Sequence, residues 1–418
     1  MDDVVTTVVG NDVAALLTGY QTEARQELAA ILAYWIANTK DVLNGGFIGK
    51  IDEYNLPDTQ APKGSVLNSR ILWAFSAAYK VTGNPAHLDM ATVAFKYILN
   101  YFVDKEFGGV YWSVFASGQP LDTKKQIYAL AFAAYGCSAY YEASGDETAK
   151  TTAIELYNTI EKYSFDEVNA GYLEAFTNNW QPIADLRLSD KDANEKKTMN
   201  THLHVLEAYT ALYKIWPDDR LKEQLVQLLH NFTQHIINQQ TGHLNLFFDE
   251  RWASRSTLIS YGHDIEAAWL LVEAAEVIND PYLIQEIKNI AVKIAAAAEQ
   301  GIDKDGSLWY EYEPEAQHCI KEKHWWVQAE AMVGFFSSWQ ITGNKKYLDN
   351  SIQAWAYTKT CIKDDTYGEW LWGRNADGSI MGGQDKAGIW KCPYHNSRAC
   401  IEIINRITRL NNIHAPSS

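Results

Sequence analysis

Residues 108–150, GGVYWSVFASGQPLDTKKQIYALAFAAYGCSAYYEASGDETAK, hold one period of the repeat that decides the fold. A glycine pair opens an alternating aromatic stretch, which suits a short strand or hairpin arm. A long apolar run follows, and SGD at Ser144 then reads as a stop and restart between two helices, Gly ending one and Asp capping the next. Working outward, the glycine-led aromatic segment recurs as GGFIGKI (45–51), GYLEAF (171–176), GHLNLFF (242–248), GSLWYEY (306–312) and GEWLWGR (368–374). Measured from Gly46, Gly109, Gly171, Gly242, Gly306 and Gly368, the intervals are 63, 62, 71, 64 and 62 residues. The turn marker recurs too: TGN at Thr82, WPDD at Trp216, NDP at Asn279 and TGN at Thr342.

Helical periodicity around these turns predicts twelve helices, at 12–38, 66–82, 85–103, 122–144, 147–163, 195–215, 218–239, 257–278, 281–299, 322–342, 345–362 and 392–411. Six helix pairs can close into a ring or run on as an open superhelix. Superhelical helix-pair repeats are shorter, roughly 34–47 residues. The even-numbered helices carry the more apolar runs (ILWAFSAAY, IYALAFAAYG, AAWLLVEAA, AMVGFFSSW), as inner helices should. The expected fold is therefore all-α, an (α/α)6 barrel with short β-hairpin segments at one rim. It forms one domain over 1–418 with an ordered core at about 12–412, because no linker or low-complexity stretch divides the chain.

Composition narrows the function classes. With 36 Lys+Arg against 52 Asp+Glu the formal net charge is −16, and no basic stripe offers itself to nucleic acid or an anionic membrane. No apolar run approaches the roughly 20 residues of a membrane span. The N-terminal MDDVVTTVVGNDV is acidic where a secretory leader is basic. Cys137, Cys319, Cys361, Cys392 and Cys400 are odd in number, scattered and without a CxxC pair, which points to a reducing compartment. A cytoplasmic protein is expected, monomeric or a weak homodimer. Aromatic residues reach 13%, including 15 Trp, many in the glycine-flanked segments; most will be core, and some can stack on a sugar face.

Polar residues recur near the starts of the even-numbered helices: Asn68 and Arg70, Tyr128, Asn200 and His204, His263 and Glu266, Trp326 and Glu330, His395 and Arg398. In an alternating barrel these starts share one rim, so the residues should converge on a single mouth. Asn200 and His204 share a helix face, while His202 points away; His263 and Glu266 share a face, while Asp264 turns toward the neighbouring helix. Taken singly, each has a plain structural role open to it: a core histidine, packing for Tyr128 and Trp326, or charge neutralisation by Arg70 of Glu266 or Glu330. Four charged or imidazole groups on one rim argue for a site. Three histidines could in principle hold zinc, but they lie on separate helices without HExxH spacing, so no metal is expected.

Pro393 suits the first turn of its helix and puts His395 near the positive end of the helix dipole, which favours neutral imidazole. Such a group is a competent general base. Glu266 is placed to orient His263 or raise its basicity. Two histidines on different helices could remove and return a proton, and Arg70 could hold the oxygen that gains charge. This set suits proton abstraction beside a carbonyl, as in aldose epimerisation or isomerisation, better than hydrolysis, which needs two flanking carboxyls.

The blocks NSRILWAF (68–75), KKQIYALAFAAYG (124–136), MNTHLHVLEAY (199–209), FFDERW (247–252), SYGHDIEAAWLL (260–271), KHWWVQAEAMVGF (323–335) and WKCPYHNSRAC (390–400) resemble the cellobiose 2-epimerases of the N-acylglucosamine 2-epimerase superfamily, in order, from about residue 15 to 410. The resemblance implies cofactor-free inversion at C2 of the reducing-end glucose of β-1,4-linked disaccharides, with His263 and His395 as the acid/base pair. It implies that Arg70, Asn200, His204 and Asp192 contact the sugar, that Tyr128 and Glu266 support it, and that Trp326 and Trp390 stack on it. Trp309 is a further candidate platform for the second ring. Rival readings are a mannose, glucose or N-acylglucosamine 2-epimerase, an aldose–ketose isomerase, a glycosidase using Asp249, Glu250, Asp264 or Glu266, and a sugar- or partner-binding barrel without turnover.

Overall fold

In a computed structural model that describes residues 11–414, twelve α-helices alternate with short antiparallel strand pairs. The acidic N-terminal stretch read for the lack of a leader lies mostly outside the described residues. Six inner helices close the ring: α2 (Ser65–Thr82), α4 (Ile127–Ser144), α6 (Met199–Ile215), α8 (Tyr261–Ile278), α10 (Trp325–Thr342) and α12 (Tyr394–His414). Each packs on the next, and α12 returns to α2. Six outer helices complete the pairs: α1 (Asn11–Asn38), α3 (Pro85–Tyr97), α5 (Glu147–Tyr163), α7 (Asp219–Asn231), α9 (Pro281–Ala298) and α11 (Lys345–Tyr357). The (α/α)6 barrel read from the repeat is the observed fold.

Inner and outer helices differ as their sequences require. Every residue of α4 from Ile127 to Tyr140 is buried, so it shows no polar face. Outer α7 instead buries one stripe, Leu221, Leu225, Leu228 and Leu229, at helical spacing. The helix-to-helix turns also follow their sequence. Gly83, Gly145 and Gly343 end helices in the left-handed region, and Asn84, Asp146 and Asn344 cap the next helices through their side chains.

The repeat glycines have a backbone reason. Gly46, Gly109, Gly171, Gly242, Gly306 and Gly368 have φ of 64°, 73°, 79°, 81°, 82° and 77°, a region glycine enters without strain. At Gly171 a Cβ would also lie 2.4 Å from the Trp252 ring and 2.7 Å from His202 Nε2.

Four inner helices begin three to five residues later than the periodicity predicts, at 127, 199, 261 and 325 rather than 122, 195, 257 and 322. Their leading residues instead form strands Lys125–Gln126, Lys197–Thr198, Ile259–Ser260 and Lys323–His324, each paired with the glycine-led segment of the following repeat. The pairing stitches neighbouring repeats together. α12 starts at Tyr394, so Pro393 stands just before the helix rather than in its first turn.

The leading strands carry a second device. Buried Lys63, Lys125, Lys197 and Lys323 reach back to Asp41, Asp104, Asp166 and Asp303 at 2.7, 2.6, 2.9 and 2.9 Å. In the last repeat Lys386 holds Asp364 at 2.5 Å. The fourth repeat has Asn238 and Ile259 at the corresponding places, and there the strand joins a three-stranded sheet formed with Glu311–Glu313 and His318–Ile320.

Candidate active site

The sixfold register explains why so many polar groups meet. Counted from Ser65, Ile127, Met199, Tyr261, Trp325 and Pro393, the fifth following position on each inner helix is Arg70, Phe132, His204, Glu266, Glu330 and Arg398. The second is Leu67, Ala129, Thr201, His263, Val327 and His395. All the inner helices start at the same rim, so each register position forms a ring around the axis. The upper ring bears the two candidate acid/base histidines, the lower one the arginines and carboxylates.

At this rim opens a cavity of about 810 Å³. Arg70, Tyr128, Asp192, Asn200, His204, His263, Glu266, Trp326, Trp390 and His395 all line it, so ten of the expected site residues converge. Trp309 does not. It lies beneath Lys321, whose Nζ is 4.8 Å from its ring, because side chains alternate along this extended segment. Its neighbour Tyr310 takes the wall instead, stacked on His324 with centroids 3.9 Å apart.

Trp326 stands between the two histidines. Its ring lies 4.8 Å from that of His263 and 5.7 Å from that of His395, so the imidazoles can be no farther apart than these distances laid end to end. The Nδ1 atom of each is engaged away from the cavity, which leaves Nε2 for a ligand. His395 Nδ1 meets Glu330 Oε1 at 2.7 Å. His263 Nδ1 meets Ser260 Oγ at 2.8 Å. The expected partner Glu266 does not orient His263; it accepts from Arg398 instead.

Arg398 ties the floor together. Its guanidinium donates to Glu207, Glu266 and Glu330, three buried carboxylates on three inner helices. Glu207 also meets His204 Nδ1 at 2.9 Å and accepts from the Tyr394 hydroxyl at 2.6 Å. Arg70 therefore does not neutralise Glu266 or Glu330. Its Nη2 donates to the Tyr128 hydroxyl at 2.7 Å, and its buried Nε has no partner among the described residues.

Electrostatics follow from this burial. Burial holds His263 at about 3, with smaller contributions from His204 and, opposing, Glu330. Burial, then the Arg70 and Arg398 guanidiniums, push His395 well below the ordinary range. His395 is thus neutral as the sequence suggests, but for a cause the helix dipole alone does not supply. Burial raises Glu207, yet Arg398 and His204 outweigh it and hold the carboxyl at about 2. Glu266 and Glu330 are both raised, by burial first and, for Glu266, by Glu330 next.

Other expectations resolve by geometry. His202 bonds the Thr198 carbonyl and accepts from the Tyr172 N–H, away from the cavity. Asp264 turns aside to His243 at 2.6 Å. Asp249, Glu250 and Asp264 do not line the cavity, and Asp249 pairs with Arg255, so the carboxylates named for a glycosidase do not assemble. Among the described residues, Glu266, Glu330 and His395 offer ligand atoms within 4.8 Å of one another, but the Arg398 guanidinium already holds both carboxylates and a cation would have to displace it. Sequence reading missed Ser260, Glu207, Tyr310 and Trp372. Glu207 was within reach, one helical turn after His204; Trp372 stands in GEWLWGR four residues after its glycine, as Tyr310 does in GSLWYEY.

The mouth of the barrel thus presents two neutral imidazoles, an arginine and the indoles of Trp326 and Trp390 to one cavity. The model of the N-acylglucosamine 2-epimerase (GlcNAc 2-epimerase) family matches residues 46–399, and the chain belongs to that family, which makes it a carbohydrate epimerase. It is 50% identical to a cellobiose 2-epimerase of Bacteroides fragilis over 91% of this chain and 98% of that protein. A cellobiose 2-epimerase of Ruminococcus albus is 39% identical over 92% and 98%. The solved cellobiose 2-epimerase of Bacillus thermoamylovorans superposes with a TM-score of 0.88 at 40% identity, covering 93% of this chain and all of that one. No helix among the described residues is long and apolar enough to cross a membrane.

Proposed function

We propose that the chain inverts C2 of the reducing-end glucose in β-1,4-linked disaccharides, turning cellobiose into glucosyl-mannose and lactose into epilactose. The observation that carries this reading is the pair of imidazoles flanking Trp326, each with Nδ1 engaged and Nε2 left toward the same cavity. The names of the relatives support the disaccharide. So does the cavity, whose volume of about 810 Å³ lies in the upper part of the range for small-ligand sites.

The sugar ring opens to the aldehyde, and one histidine Nε2 takes the C2 proton. The electrons move through C1–C2 onto the carbonyl oxygen, giving a cis-enediolate. Arg70, permanently charged and fixed by Tyr128, faces that oxygen's negative charge. Rotation about C2–C3 presents the other face, and the second histidine, protonated from solvent while the enediolate's negative charge stands beside it, returns that proton to C2 as the first loses its own to solvent. Return to C1 instead gives a little ketose. Glu330 accepts from His395 Nδ1–H, which fixes the tautomer that leaves Nε2 basic and steadies the imidazolium formed on protonation. The Ser260 hydroxyl can donate or accept, so His263 can hold either tautomer. His204, aligned by Glu207, and Asn200 hold sugar hydroxyls, while Trp326 and Trp390 stack on the rings.

The test is to incubate the protein with cellobiose, lactose, mannose and N-acetylmannosamine in turn and resolve the products, alongside His263→Ala and His395→Ala. The reading predicts C2 epimers of the disaccharides and turnover abolished in both variants. Free glucose without an epimer, or near-normal turnover by either variant, contradicts it.

A further inference from the structure

The lower ring of the barrel has one member that carries no charge and no imidazole, Phe132 on α4. Since α4 packs between α2 and α6, this ring position falls between Arg70 and His204. The Arg70 guanidinium carbon stands over the Phe132 ring at 4.2 Å from its centroid, and the His204 ring lies 4.7 Å from it. Phe132 itself is buried and does not line the cavity, so it acts on a sugar only through these neighbours.

The two arginines of the lower ring are held in opposite ways. Arg398 donates to Glu207, Glu266 and Glu330, which cancel its charge. Arg70 has no carboxylate partner among the described residues; its Nη2 donates to the Tyr128 hydroxyl. Its guanidinium is instead caged by rings, Phe132 at 4.2 Å, Tyr394 at 4.8 Å and Tyr128 at 5.7 Å. The negative face of an aromatic ring attracts a cation without neutralising it. A carboxylate in the place of Phe132 would pair with Arg70 and take up the charge meant for the substrate. Glu266 lines the same cavity, and its charge already acts on Arg70. Without the cage the guanidinium would be drawn toward that carboxylate.

We propose that Phe132 is a positioning residue for the reaction, its ring face holding Arg70 unpaired beside the oxygen that gains charge in the enediolate. The inference rests on the epimerisation assigned to the cavity above.

Ring fluorination supplies the test, because fluorine drains the negative face of the ring while hardly changing its shape. Phe132→monofluorophenylalanine, Phe132→difluorophenylalanine and Phe132→trifluorophenylalanine are compared with wild type and Phe132→Leu, with cellobiose as substrate and a thermal melt for each. The expected result is a kcat that falls stepwise with fluorine number, reaching about tenfold in the trifluoro enzyme, with KM within about threefold. Phe132→Leu, where folded, should lose at least as much. A kcat that stays within about twofold of wild type across the folded fluorinated series overturns the proposal, even if Phe132→Leu is slow, because packing alone would then account for the residue. A wild type that yields no C2 epimer overturns the assigned reaction itself, and this inference with it.

Discussion

Replacing Glu330 by Gln should disable the reaction without emptying the cavity. Glu330 is 1% exposed and does not line the cavity; it acts on the sugar only through His395 and Arg398. Its Oε1 meets His395 Nδ1 at 2.7 Å and Arg398 Nη2 at 2.6 Å, and its Oε2 meets Trp269 Nε1 at 3.0 Å. Glutamine keeps the volume but removes the charge. A hydrogen bond to a charged group contributes about 1.5–3 kcal/mol, which at about 1.36 kcal/mol per decade is roughly one to two orders of magnitude in rate. A second effect adds to it. If the amide N–H₂ turns toward Nδ1, the imidazole must carry its proton on Nε2 and can no longer accept one from C2. In a serine protease the corresponding tautomer reversal costs about 10⁴ in kcat. We therefore expect kcat to fall about 10²–10⁴-fold with KM changed less than about threefold. The assay is initial-rate conversion of cellobiose resolved by chromatography, with a thermal melt to show that the variant is folded. A folded Glu330→Gln enzyme with kcat within about threefold of wild type, or with only KM raised, would refute the reasoning.

Lys63→Met should strand buried Asp41 and cost about 3–5 kcal/mol, read as a lower thermal midpoint, and adding Asp41→Asn should recover part of the loss. Trp309→Ala should leave kcat/KM for cellobiose within about twofold of wild type, while Tyr310→Ala, which removes a cavity wall, should raise KM. Burial holds His202 at about 3 in the fold against an ordinary 6.5, so between those values the unfolded chain binds the extra proton. That contribution to stability is complete above 6.5 and is lost as the pH falls toward 3, so thermal midpoints should drop from pH 7 to pH 5, less steeply in His202→Gln.

The repeat was legible because each period needs a left-handed glycine and a polar helix cap, chemistry that leaves a mark at a fixed spacing. From it followed the ring, the alternation of inner and outer helices, and a single rim collecting Arg70, His204, His263 and His395. Helix starts were less legible, because Lys125 and Lys197 suit a helix as well as a strand and only pairing with the next repeat decides. The partners of the histidines were hidden for a similar reason. Glu330 reaches His395 across 65 residues of chain, and Arg398 gathers carboxylates from three helices, contacts that spacing within one helix cannot reveal. Trp309 was misplaced by one residue, which on an extended segment means the opposite face.

The central claim is that a proton leaves C2 and that one drawn from water-exchangeable imidazoles takes its place. Epimerising cellobiose in heavy water and examining the glucosyl-mannose by NMR tests it most directly. The account predicts deuterium at C2 of the new epimer; an epimer that carries only protium there would contradict it.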